Sequence, residues 1–281
     1  MANTTLINAE LFSNLVTAAQ FAAYEQSVAR QMATVFDAPM NSGKVLQVPV
    51  WTSIAAQNIS NEAAATAAAT GTDQALITMT EHVVYHQITD MLRDSATNNV
   101  IAQLGDQSGR AIAESMDIEF MSKFAALGTL GGLTDVTINA SAFDKNDIMN
   151  RVAQLRAAKL TGPFYAVVHP TAANEIKKAL TANDSYTASG AVADSILTDY
   201  FVGQLAGCRI IESANVPLTG DVATCAVFAP SAIGHAMRGA VSLEQDRNAP
   251  ARATDLVMTG VAGSNVLQET HGVKLSIDLS A

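Results

Sequence analysis

The side chains able to do chemistry are few, and their spacing decides what each can do. His82 and His86 stand four apart, the interval at which one helical face brings two imidazoles to a zinc ion, but no H-E-x-x-H surrounds them. The stretch that holds them, ALITMTEHVVYHQI at residues 75–88, alternates apolar and polar types and is rich in β-branched residues, so it reads as a strand. On a strand the two rings share a face about 13 Å apart, too far for one ion. Both are expected as polar residues on a solvent-facing or interface face. Ser108 in GDQSG (105–109) misses the G-x-S-x-G spacing of a nucleophile elbow by one position and falls mid-helix, away from any strand-to-helix turn. NSGKV (41–45) departs from a phosphate loop twice: Ala38 stands where the first Gly belongs, and Val45 where Ser or Thr would follow the Lys.

The remaining candidates divide the same way. Cys208 and Cys225 have no C-x-x-C and no His at metal spacing, so they are expected as buried small hydrophobes in a reducing compartment. His169 in VVHP ends a strand, where α/β proteins place functional groups, but a capping or turn role fits it better. His235 and His271 have no recognisable partners. Asp144 and Asp147 flank a helix start, which the helix dipole explains. Arg110, Glu114 and Asp117 read as helix-surface pairs, and Arg151, Arg156 and Lys159 as a solvated basic face. No nucleophile, base and oxyanion donors assemble from these residues, so neither catalysis nor a cofactor or metal is expected.

The elements that would carry these residues follow from periodicity. Leu11, Leu15, Ala18, Ala22, Val28, Met32 and Val35 recur at helical spacing over residues 9–36, with a break near Asp37-Ala38-Pro39. KVLQVPVW (44–51) alternates, with Leu46, Val48 and Val50 on one face; Pro49 cannot donate to a ladder, so the strand lies at an edge or bends there. It and the strand at 75–88 flank NEAAATAAATGTDQ (61–74), a long hairpin that needs something to lean on. Residues 90–127 form a long helix expected to kink or loosen at Gly105 and Gly109. From Phe143 the grammar becomes α/β. The helix DIMNRVAQLRAAKL feeds the strand YAVVHP, and a helix follows from Thr171, capped by Thr171 or Asn174. VADSILTDYF (192–201) reads as a short helix. GCRIIES, TCAVFAP and GVKLSIDL read as strands, and residues 255–269 as a hairpin around VAGSN.

Composition narrows the function. With 281 residues the chain can build one large domain or two of ordinary size. Charged residues make up only 15%, against about 25% in ordinary globular domains, and aromatics 5%. Much of the surface is therefore expected to be Ala, Thr, Ser and Asn, either turned towards other protein, the preferred reading, or merely bland. A net charge of −10 and a pI near 4.8 disfavour a polyanion-binding surface. The opening MANTTLINAELFSN lacks a basic n-region before an apolar run, and no segment reaches the roughly 18 apolar residues of a membrane span. Synthesis in the cytoplasm without membrane insertion is expected. No Lys or Arg occurs between Lys44 and Arg93.

The order of these elements, with DIMNRVAQLRAAKLTGPFYAVVHPTAANEIKKAL, GQLAGCRIIESANVP, CAVFAPSAIGHAM and VLQETHGVKLSID in sequence, resembles the major capsid proteins of tailed bacteriophages over nearly the whole chain. The resemblance implies an α+β Hong Kong 97-type fold. It divides into an N-terminal arm (1–41), an extended loop (42–89), a peripheral domain with a spine helix (90–130 and 241–281) and an axial α/β domain (131–240). It implies self-assembly through pentamers and hexamers into an icosahedral virion head around double-stranded DNA, put together in a bacterial host's cytoplasm. The expected partners are further copies, a portal, a separate scaffolding protein and cement proteins. The Ala/Thr tip would then pack on a neighbouring subunit, with Trp51, Glu62, Asp73, Arg151, Arg156 and Arg252 as inter-subunit contacts and the two acids meeting the basic residues. Some relatives crosslink a loop lysine to an asparagine of the next subunit. Here the loop has none beyond Lys44, so a non-crosslinked shell is expected. Some carry a cleaved scaffolding region before the arm, whereas this sequence opens almost directly on a helix. An encapsulin-like shell around cargo protein is the nearest rival. An α/β enzyme built on 143–240, or a fibrous protein, is the remoter alternative.

Overall fold

The computed structural model describes residues 28–39, 43–51, 56–59, 67, 71–95, 98–128, 137–182 and 204–280; for 93–95, 98–102 and 179–182 it describes the backbone alone. In chain order the elements begin with a one-turn helix α1 (Ala29–Met32) and strands β1 (Thr34–Asp37), β2 (Val45–Trp51), β3 (Thr72–Thr78) and β4 (Thr80–Thr89). Helices α2 (Asp90–Ser95) and α3 (Asn98–Ser122) follow, then β5 (Ile138–Asn139), α4 (Lys145–Ala157), β6 (Phe164–Val168) and α5 (Pro170–Ala182). The chain closes with β7 (Gln204–Leu205), β8 (Cys208–Glu212), β9 (Leu218–Thr219), β10 (Val222–Phe228), β11 (Ile233–Met237), β12 (Ser242–Asn248), β13 (Ala253–Val266) and β14 (Gly272–Asp278).

Among the described residues these strands form two large sheets and one two-stranded ribbon. The first sheet is organised by β13, which pairs antiparallel with β4, β12 and β11, while β1 adds in parallel to β11. The second runs β5-β14-β10-β6-β8-β7, with β9 against β10. The ribbon is β2 against β3. Helix α3 crosses from one sheet to the other. Its Ile112 and Met116 pack on Ile88, Leu256, Met258 and Ala262 of the first sheet, and Phe120, Met121 and Phe124 enter the larger core beside β10 and β14. Phe124 lies 5.8 Å from Phe120 and 5.5 Å from Phe228, ring centre to ring centre. The same helix therefore buries apolar area in both cores, which makes it the structural spine.

Several expectations hold. A hairpin forms between β2 and β3, with Leu46, Val48 and Val50 on its half-buried face, but the single strand expected over 75–88 divides at Met79 and its second part, β4, joins the first sheet. Asp144 caps α4 through a capping box with Asp147. Cys208 and Cys225 are free and buried. His169 caps α5: its Nδ1 accepts from the Thr171 N–H at 3.3 Å, so the cap is His169 and not Thr171 or Asn174.

Others are corrected. Helical spacing predicts helix through Phe36, but Thr34–Asp37 is a strand; three β-branched or aromatic residues in a row find a partner edge on β11, and tertiary pairing overrides the period. Residues 255–269 are not a hairpin. β13 runs unbroken through VAGSN because Gly260 and Gly263 face close neighbours instead of a turn. The hairpin lies one strand earlier, between β12 and β13. Gly105 and Gly109 are buried within α3, which is helical from Asn98 to Ser122. Arg110 pairs with Asp106 at 2.9 Å and Asp117 is buried, so the surface pairs with Glu114 and Asp117 do not form. Thr80–Thr89 pairs along its length with β13, and Gly272–Asp278 pairs with β10. The short helix expected at 192–201, the helix before residue 28 and the tip at 61–66 lie outside the described residues.

Candidate assembly surfaces and the polar band under the spine helix

The hairpin carries the candidate interface. Alternation gives β2 a half-buried face, yet the hairpin leaves large apolar side chains in water: Trp51 is 63% exposed, Leu76 45% and Val45 41%. An isolated two-stranded ribbon is marginal in water, and exposed apolar area of this kind marks a contact surface. Trp51 pairs across from Thr72, next to Asp73, whose Oδ1 accepts from the Gln74 N–H at 2.8 Å. Trp51 and Asp73 thus share one end of the ribbon. Glu62 lies outside the described residues.

The expected basic partners sit elsewhere and apart. Arg156 is exposed on α4, with its Nη2 donating to the Ala206 carbonyl at 2.8 Å, which docks the helix onto the β7–β8 turn. Arg151, on the same helix, is only 7% exposed, so it does not belong to a solvated basic face. Arg252 occupies the β12–β13 turn with φ +48°, and its carbonyl accepts from the Asp90 N–H at 2.9 Å. Within one subunit none of these three meets Asp73.

What the sequence does not announce is a polar band between α3 and the first sheet. His82 and His86 point inward, not to solvent. His82 Nε2 lies 3.0 Å from Glu119 Oε2 and its Nδ1 2.8 Å from Ser115 Oγ, so Nε2–H donates to the carboxylate and, in the neutral ring, Nδ1 accepts from the hydroxyl. Glu119 Oε1 accepts from the Ser264 N–H at 3.4 Å. Ser264 Oγ bonds His235 Nδ1 at 2.9 Å. Burial pushes His235 down to about 4, with Glu119 opposing and Arg30 and His82 reinforcing the shift. One turn away, Asp117 accepts from the Val28 and Ala29 N–H groups, both at 3.0 Å, and caps α1 from another element. The start of α1, at Val28 and Ala29, is therefore tied to the spine. Only the helical placement of Ser115, Asp117 and Glu119 against β-strand histidines produces this band, and sequence spacing carries no sign of it.

The reactive candidates are occupied structurally. Ser108 Oγ donates to the Leu104 carbonyl at 2.6 Å, so its one proton is used and His86 Nε2, 2.9 Å away, must donate to it. That polarity is opposite to a nucleophile–base pair. Burial raises both thiols to about 12. His271 Nδ1 bonds Ser231 Oγ at 2.7 Å, and burial lowers its pKa and that of His169. Among the described residues no three His, Cys, Asp or Glu side chains group to hold a metal, and no helix is long and apolar enough to cross a membrane.

Two sheets joined by one spanning helix, with an apolar hairpin offered outward, define a structural subunit built for association. The chain belongs to the phage capsid protein family, whose model, described as "Phage capsid protein", matches residues 73–274. Its α+β fold is the Hong Kong 97-type fold, and as a phage capsid protein it is a component of the virion shell. The fold is similar to that of a Mycobacterium phage Che8 chain (TM-score 0.65, 20% identity, 83% of this chain and 85% of that one). It is equally similar to the capsid of cyanophage P-SCSP1u (TM-score 0.65, 20% identity, 88% and 86%). A virus-like particle from Pyrococcus furiosus also matches, at TM-score 0.62 and 13% identity over 94% and 98%. No curated protein sequence matches the chain.

Proposed function

We propose that this protein is the major capsid protein of a tailed phage, assembling through pentamers and hexamers into a non-crosslinked icosahedral head around double-stranded DNA. The observation that carries the proposal is the hairpin, whose exposed Trp51, Leu76 and Val45 have no cover within the described subunit while its family builds shells. In this reading residues 1–41 are the arm and 42–89 the extended loop. Residues 90–130 with 241–281 form the peripheral domain and 131–240 the axial domain. Trp51 contacts the next copy, and Glu62 and Asp73 meet Arg151, Arg156 or Arg252 there. A portal, a separate scaffolding protein and cement proteins complete the head, which assembles in the host cytoplasm. The chain itself has no enzymatic role.

Trp51→Ser with Asp73→Lys tests the contact. Sedimentation is expected to shift from large particles to free subunits or capsomers while far-UV circular dichroism stays unchanged. Particles of wild-type mass and stability would contradict the assignment. The likeness to the Pyrococcus furiosus particle supports a second reading, a shell around cargo protein. Nuclease-resistant DNA in particles from the native host favours the first reading, and a stoichiometric co-purifying protein the second.

A further inference from the structure

We propose that Gly263, Asn265 and Arg238 set the angle at which the hairpin leaves the body, and through it the diameter of the shell; the inference rests on the shell-forming role above. The chain changes sheet at Met79, between β3 in the hairpin and β4 in the body. At that junction the hairpin sits directly on glycine. A methyl group added to Gly263 would overlap the Thr78 carbonyl and stand 3.2 Å from the Met79 Cα, so the backbones pack at a distance no other residue allows. Asn265 Nδ2 donates to the Leu76 carbonyl at 2.7 Å, while its Oδ1 accepts from the Val266 N–H at 2.9 Å, which fixes the amide's orientation. On the other strand, Arg238 Nη2 donates to the carbonyl of Gly43, a left-handed residue at φ +81° that begins the hairpin. Body side chains thus hold the base of the hairpin by its backbone, while Leu46, Val48 and Ile77 of the hairpin pack with Ala38, Ala236, Val261 and Leu267 of the body.

Space to move lies alongside. A groove of about 430 Å³ separates Val50, Asp73 and Gln74 of the hairpin from Ala126, Leu267 and Glu269 of the body. The hairpin is a lever: seven strand residues span about 23 Å, so a tilt of about 10° at the seat moves Trp51 by about 4 Å. Close-packed interfaces do not absorb such a shift, so the seat angle selects which neighbour geometry can form. Asn265 and Arg238 act by positioning the hairpin and touch no neighbour in this scheme.

The test is particle diameter, measured by electron microscopy on wild type, Asn265→Ala, Arg238→Gln, their double variant and Gly263→Ala, with folding followed by circular dichroism. Loss of one hydrogen bond, about fivefold in an equilibrium constant, is expected to loosen the seat and widen the range of angles it admits. The single variants are expected to keep the subunit fold and to give broadened or displaced diameters, or open sheets, with the double variant further displaced. Should Gly263→Ala fail to fold, the two hydrogen-bond variants decide. Folded variants that form particles of unchanged diameter, at whatever yield, overturn the inference and leave the shell reading intact. A wild-type protein that forms no shells overturns both.

Discussion

His235 enters the folded protein as a neutral ring and must stay so. It is 1% exposed, Ser264 holds its Nδ1, and its Nε2 has no hydrogen-bond partner among the described residues. Its folded pKa of about 4 lies below the ordinary 6.5, so the unfolded chain binds the proton first as pH falls. Stability is then complete above about pH 6.5 and declines towards pH 4, by about 3 kcal/mol for this group. Denaturant midpoints from pH 7 to pH 4 should show that decline, and His235→Asn should flatten it; an unchanged slope would mean that other groups dominate. Asp117 is the second residue whose role is invisible in sequence. It looks like a helix-surface acid but is 3% exposed and supplies the cap that Val28 lacks. Asp117→Ala should lower stability by about 1–2 kcal/mol and expose the chain near residue 28 to protease. Cleavage and stability equal to wild type would remove its anchoring role.

Elements were legible where one period ruled and illegible where two competed. The alternation in VLQVPVW and GVKLSID matches the strands β2 and β14, since in each one face is more covered than the other: Leu46, Val48 and Val50 half-buried in β2, Val273, Leu275 and Ile277 buried in β14. Thr34–Asp37 carries helical spacing from the residues before it yet pairs with β11, a choice made by an edge far away in sequence. VAGSN looks like a turn because Gly, Ser and Asn favour turns. In β13 the same small residues let α3 and the hairpin approach from different sides, Met116 facing Gly260 and Thr78 facing Gly263. The polar band under α3 was unreadable for the same reason: His82 and Glu119 meet only once helix and sheet are docked. The spine's hold on both cores gives a direct test. Phe120 is fully buried and touches the rings of Phe124, Phe228 and His235, so Phe120→Ala should destabilise the subunit by about 3–5 kcal/mol. A loss below about 1 kcal/mol in denaturant unfolding would show that α3 is not the common spine.

At the scale of the whole molecule, charge and shape point the same way. The protein carries a net charge of −10, and its hairpin strands carry no cation beyond Lys44, so in the proposed shell the hairpin would meet its neighbours through area, short side chains and carboxylates. If the shell reading holds, association adds to the stability of the subunit, and apparent melting is expected to rise with assembly in a thermal scan of free and assembled protein. The low charge density was readable from composition, whereas the contacts of Gly263, Asn265 and Arg238 with the hairpin base were not. The most direct measurement is electron microscopy of the purified protein, alone and with a scaffolding partner, beside size-exclusion chromatography. Closed icosahedral particles or five- and six-membered rings are the expected result. A monodisperse species near 29.3 kDa at every concentration and with every partner would contradict the account, because the hairpin's apolar face would then be satisfied within its own chain.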